Sequence, residues 1–175
     1  MANRLDKQQS PGYSCIYNMV MDMDEKESAH EKESVKVAEA VAAECIAVRV
    51  RFVSRVITNL YDRALQRLDI KINQASILVF LTVHGGSSPG DIGKGLRMEK
   101  STVSRNIDRM RKKGWIEIGL RDDGLSQVIR VTGKGSTLLA AAHVEWAKAQ
   151  EAARGLLGEE GVRSVGKLYD TLRDR

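Results

Sequence analysis

Apolar residues recur at helical spacing along most of this chain. From about Val35 to Leu68 they form two seams: Val41, Cys45, Val48, Phe52, Val56 and Leu60, and then Ile46, Val50, Val53, Ile57, Tyr61 and Leu65. One core contact needs one stripe, so the second seam predicts contact with another chain. A helix is predicted from Asn73 to about His84, burying Ile77, Leu78, Phe80 and Leu81, and Gly85-Gly86 ends it. Ser88 is a suitable N-cap with Pro89 at the first helical position, which opens a short helix to about Leu96. In the next helix Val103, Ile107 and Met110 fall at i, i+4 and i+7, and Gly114 follows its last turn. Trp115–Leu120 alternates, with Ile116, Ile118 and Leu120 on one side, and Gln127–Thr132 makes a second strand across the turn RDDGLS. Thr132 caps a helix to about Arg154 with Leu138, Leu139, Ala142, Trp146 and Ala149 as its stripe. Leu156-Leu157-Gly158 breaks it before a last helix from Glu159 carrying Val162, Val165, Leu168, Tyr169 and Leu172.

Two short helices joined by a tight turn, followed at once by a hairpin, define a winged helix-turn-helix. The fold class is therefore mainly α with a small β-hairpin. Residues 35–175 form one domain, with a winged-helix lobe at 73–131 and helices at 35–70 and 132–175 that are expected to dimerise.

Charge sharpens this picture. The formal net charge is +5, but residues 1–34 carry four basic against seven acidic side chains, while 94–134 carry eleven against five. Residues 1–34 lack sustained periodicity and read as a disordered acidic tail, with helix an option in its last part. Tyr13, Ile16, Tyr17, Met19, Val20, Met21 and Met23 make one apolar patch there, and Met19, Met21 or Met23 could equally be the start. A concentrated basic segment suits a polyanion. A membrane surface would want aromatic or leucine anchors beside the lysines, and only Trp115 offers one, so double-stranded DNA is the expected partner. No 18-residue apolar run exists, and the start lacks the basic and apolar regions of a signal peptide. A soluble, cytoplasmic protein is expected.

The helix Met98–Trp115 carries the chemistry. Ser101, Thr102, Ser104 and Arg105 crowd its first turns, where small hydroxyls allow close approach and an arginine can donate two bonds to guanine. These four are the candidate base-reading residues; Lys100, Arg109, Lys112, Arg121 and Arg130 are the candidate phosphate contacts. Gly93-Lys94-Gly95 and Gly133-Lys134-Gly135 lack phosphate-loop spacing, since no Ser or Thr follows the lysine. Cys15, Cys45, His30, His84 and His143 fall in no ligand motif. The chain is read as a non-enzyme without metal or cofactor.

The order of elements resembles the MarR family of transcriptional regulators over roughly Cys45 to Arg173. The resemblance rests on Tyr61-Asp62-Arg63-Ala64-Leu65, Gln74, Ser101-Thr102-Val103-Ser104-Arg105, Lys112-Lys113-Gly114 and Thr132-Gly133-Lys134-Gly135. It implies a two-fold homodimer reading a palindromic operator, usually as a repressor, and often released by a small aromatic acid, an acyl thioester or an oxidant. It also implies an effector crevice between the long helix and the DNA-binding lobe, where Arg49, Arg51, Tyr61 and His84 are candidates to meet a carboxylate or phenol.

Two positions depart from the family pattern. The wing commonly carries Asp-Arg-Arg-Ser, whereas here it reads Asp123-Gly124-Leu125-Ser126, which puts minor-groove reading in doubt. Cys45 falls about two residues early for the family's peroxide-sensing cysteine, with Arg51 and Ile72 where tyrosines are expected. It is read as a small hydrophobe, with a redox sensor as the other option. The alternative function is a winged-helix protein-interaction module that has lost its operator.

Overall fold

The computed structural model describes residues 30–120 and 126–173. The expectations for residues 1–29 and for the hairpin turn 121–125 lie outside the described residues. The chain divides into two units, Met1–Phe52 and Val53–Arg175.

In the first unit residues 30–44 are helical (α1), and a second helix, α2 (Ile46–Ala64), begins there and ends in the second unit. The expected single helix from Val35 is therefore interrupted at Cys45, although Cys45 N donates to Val41 O and Arg49 N to Cys45 O, at 3.0 and 3.1 Å. Of the described residues in this unit only Cys45 is even half-buried. Ile46 is 76% and Phe52 69% exposed, so the seams read from the sequence find no partner within the unit.

In the second unit α2 tightens into the 3-10 turn Leu65–Leu68, and Leu65 enters the core. Asp69 then takes a left-handed conformation (φ 53°). Helix α3 (Ile72–Val83) starts one residue earlier than its periodicity suggests, and two side chains account for that. Asp62 Oδ1 accepts the Ile72 amide at 2.8 Å, and Gln74 Oε1 accepts the Lys71 amide at 3.1 Å. Helix α4 (Pro89–Gly95) opens as expected, with Ser88 Oγ accepting the Asp91 amide at 3.2 Å. Helix α5 (Lys100–Lys112) buries Val103, Ile107 and Met110. They meet Leu65, Ile77, Leu78, Leu81, Ile92, Trp115 and Ile129 in one core.

Strands β1 (Ile116–Leu120) and β2 (Gln127–Val131) pair antiparallel, with Ile116 opposite Val131 and Leu120 opposite Gln127. Ser87 adds a third, one-residue rung: its amide donates to Ile129 O and Ile129 N donates back, at 3.0 and 2.9 Å. The expected apolar side of β1 is only partly realised. Ile116 is buried, but Ile118 and Leu120 are exposed, although Ile129 opposite Ile118 on β2 is fully buried. Helix α6 (Gly133–Arg173) is capped by Thr132, whose Oγ1 accepts the Gly135 amide at 3.1 Å and donates to Gly114 O at 2.7 Å. The break in α6 falls at Gly158 (φ 66°, ψ 170°), so Leu156 and Leu157 belong to its first segment. Beyond it Leu168 and Tyr169 are exposed.

Candidate nucleic-acid interface

The burial of Val103, Ile107 and Met110 fixes which way α5 faces. One flank goes to the core, so Ser101, Ser104, Arg105, Arg109 and Lys112 are left exposed and Thr102 half-buried. Arg111, which the sequence reading passed over, is exposed on the same last turn. Among the described residues, the side chains of Ser101, Ser104, Arg105, Arg109 and Lys112 make no hydrogen bond or ion pair with one another or with the rest of the chain. Asn106, in contrast, is held to its own helix, with Nδ2 donating to Thr102 O at 2.9 Å.

Lys100 and Ser104 border a groove of about 750 Å³ between α4, α5 and the hairpin. Lys94, Arg97 and Gln127 border the same groove, and sequence reasoning named none of them as contacts. The basic excess of residues 94–134 was the available signal for Lys94 and Arg97. Arg97 sits in a left-handed turn (φ 51°) between α4 and α5 that no periodicity reveals. Arg130 is exposed on β2 opposite Glu117, and Arg121 lies outside the described residues.

The four effector candidates are placed differently. His84 lines a cavity between α3 and α6. Tyr61 is not among its lining residues; its hydroxyl donates to Gln150 Oε1 and so ties α2 to α6. Burial raises the Tyr61 hydroxyl above its ordinary pKa of 10.0, partly offset by the Arg154 cation. Arg49 and Arg51 are exposed in the first unit, where the Arg49 guanidinium donates to the Ala43 carbonyl. Among the described residues no cluster of three or more His, Cys, Asp or Glu could hold a metal ion, and no helix is long and apolar enough to cross a membrane.

A helix-turn-helix with its second helix projecting hydroxyls and arginines, backed by a two-stranded wing, is the winged-helix class of nucleic-acid-binding folds. Residues 68–124 match the model of the MarR family. The uncharacterized HTH-type transcriptional regulator YdgG of Bacillus subtilis (strain 168) is 25% identical over 109 residues, covering 61% of this chain and 72% of the relative. Among solved structures, the M. tuberculosis transcriptional regulator MOSR in complex with DNA superposes with a TM-score of 0.63 at 25% identity, over 73% of this chain and 96% of that one. Apo MarR from E. coli gives 0.61 at 19% identity over 74% and 97% of the two chains. The S. aureus MepR–DNA complex gives 0.61 at 23% identity over 74% and 95%.

Proposed function

We propose that this protein is a dimeric, sequence-specific DNA-binding transcriptional regulator, which represses from a palindromic operator and is released by a small molecule. The observation that carries the reading is the divided surface of α5. Its apolar stripe is spent on the core, while Ser101, Ser104, Arg105 and Arg109 stand exposed and unengaged among the described residues. With α5 in the major groove, Ser101, Thr102, Ser104 and Arg105 approach base edges, and Arg105 supplies the bidentate contact to guanine. Lys100, Arg109, Lys112, Arg121 and Arg130 hold phosphates, and Lys94 and Arg97 extend that set along the groove. That MOSR and MepR were solved with DNA supports the reading.

Dimerisation is supported by the exposed apolar residues of each unit: Ile46 and Phe52 in the first, and Leu168, Tyr169 and Leu172 in the second. A single chain rarely leaves so many large hydrophobic side chains in water without a partner to cover them. Two-fold pairing places two copies of α5 on two half-sites.

The test is binding to fragments of the chain's own upstream DNA at two salt concentrations. Tight, salt-sensitive retention of one fragment supports a regulator. Equal weak binding to all fragments overturns it in favour of an interaction module.

A further inference from the structure

Among the described residues, two that are not glycine take left-handed backbone conformations, Asp69 (φ 53°) and Arg97 (φ 51°). This conformation crowds Cβ against the following carbonyl, so glycine is the usual occupant, with asparagine or aspartate next. Asp69 is one of the tolerated types, and Lys113 Nζ secures it through its carboxylate at 2.7 Å and its carbonyl oxygen at 2.6 Å. Neither compensation exists at Arg97. Its side chain is exposed and makes no hydrogen bond or ion pair with the described residues.

The backbone of Arg97 is fixed from both sides. Helix α4 closes in a Schellman motif, in which Arg97 N donates to Lys94 O at 3.3 Å and Met98 N to Gly93 O at 2.9 Å. Leu96 and Met98, before and after it, pack against the core. A Cβ at Gly95 would overlap the Phe80 ring, so α4 is seated too closely on α3 for the turn to relax. Glycine ordinarily stands at the position that Arg97 holds in this motif. An arginine there costs stability, and no contact within the described chain offsets the cost. What the side chain has is a place. Arg97 borders the groove of about 750 Å³ between α4, α5 and the hairpin, as do Lys94 and Lys100. Glu99 and Asp108 border it too, and Arg97 forms an ion pair with neither. An uncommitted guanidinium beside two lysines suits a phosphate.

We propose that Arg97 is a phosphate anchor in the turn between α4 and α5, and that the chain carries an unfavourable backbone conformation to keep a guanidinium there. The proposal rests on the DNA-binding reading above and adds to it a trade between stability and affinity at one residue.

The test pairs Arg97→Gly with Arg97→Lys in the full chain and reads thermal melting and DNA binding at several salt concentrations. The DNA probes are the upstream fragment that binds tightest and a random-sequence duplex of equal length. Arg97→Gly relieves the strain and removes the cation. It should raise the melting midpoint by roughly 2–4 °C. It should also weaken binding to both duplexes several-fold and make the log–log salt slope shallower by roughly 0.9 per subunit. Arg97→Lys keeps both the strain and the charge, so its midpoint and slope should stay near the wild-type values. A midpoint unchanged or lowered in Arg97→Gly overturns the trade. An unchanged salt slope shows that the side chain does not reach phosphate, which overturns the proposal and leaves the regulator reading standing. Loss of affinity for the upstream fragment alone makes Arg97 a base reader and also overturns it, as does an Arg97→Lys chain that binds as weakly as Arg97→Gly. If the wild-type chain binds every fragment alike, the regulator reading falls, while the random duplex still reads Arg97. Binding to no DNA at all overturns both.

Discussion

Lys113 Nζ lies 2.7 Å from Asp69 Oδ2 and 2.6 Å from the Asp69 carbonyl oxygen, so the C-cap of α5 is tied to the left-handed residue that follows the 3-10 turn. The same ammonium stands 4.4 Å from the centre of the Trp115 ring. A lysine in a basic run beside a candidate recognition helix is thereby turned inward. It orients α5 against the core, whereas Lys112 next to it is exposed and uncommitted among the described residues.

Lys113→Met should therefore weaken specific DNA binding while leaving the salt dependence unchanged. Its own cost in folding stability should be about 1 kcal/mol, since the pair is solvent-screened on the Asp69 side. Chemical denaturation and binding titrations at several salt concentrations check both halves. A shallower salt slope would show that Lys113 contacts phosphate after all.

Arg105→Ala should cost about 1–3 kcal/mol on the specific operator and much less on random DNA. Lys112→Ala should weaken both about equally and reduce the log–log salt slope by roughly 0.9 per subunit. Equal losses on both DNAs for Arg105→Ala would assign it to the backbone instead of to bases.

Leu168 is 60% exposed beyond the Gly158 break, so a charge there should not disturb the chain's own core. Leu168→Glu is expected to shift a micromolar sample toward monomer in sedimentation, with the far-ultraviolet spectrum unchanged. An undisturbed dimer would place the interface on other residues.

Gly135 separates close packing from backbone entropy. A Cβ built there overlaps the Trp115 carbonyl oxygen, which is backbone and cannot swing aside. Gly135→Ala should destabilise by about 1–3 kcal/mol. At Gly133, two residues earlier, an added Cβ meets nothing within 4 Å. Gly133→Ala should be neutral or stabilising by up to about 1 kcal/mol. Thermal melts of the two variants give the comparison, and equal effects would mean that this part of α6 shifts freely.

The last prediction concerns alkaline pH. The folded state raises the Tyr61 pKa above 10.0, so it holds the phenolic proton more tightly than the unfolded chain does. The resulting penalty is absent below the unfolded value; above it the unfolded chain ionises first, and stability falls as pH climbs toward the folded value. Tyr61→Phe should lose the hydroxyl bond to Gln150 at neutral pH and should flatten the alkaline decline. Denaturation midpoints measured on both sides of the tyrosine range decide it, and an equally steep decline in the variant would assign the loss to other groups.

The sequence by itself determined the features that depend on near neighbours. The stripe Val103, Ile107 and Met110, the cap at Ser88 with Pro89 behind it, and the cap at Thr132 are local, because periodicity and end-capping involve residues a few positions apart. That was enough to order the elements of the winged helix and to point to α5 as the surface that could read DNA. Tertiary structure alone decided how distant residues meet. Lys113 turns to Asp69, Ser87 becomes a strand rung on Ile129, Tyr61 spends its hydroxyl on Gln150, and Leu65, Phe80 and Trp146 come together around one cavity. The alternation along β1 promised a buried side that Ile118 and Leu120 do not have, because a two-stranded hairpin is covered only where another element reaches it. A pattern along the chain states which side chains avoid water; it does not state what stands opposite them, and in this protein the cavity and the clamp on α5 both depend on that.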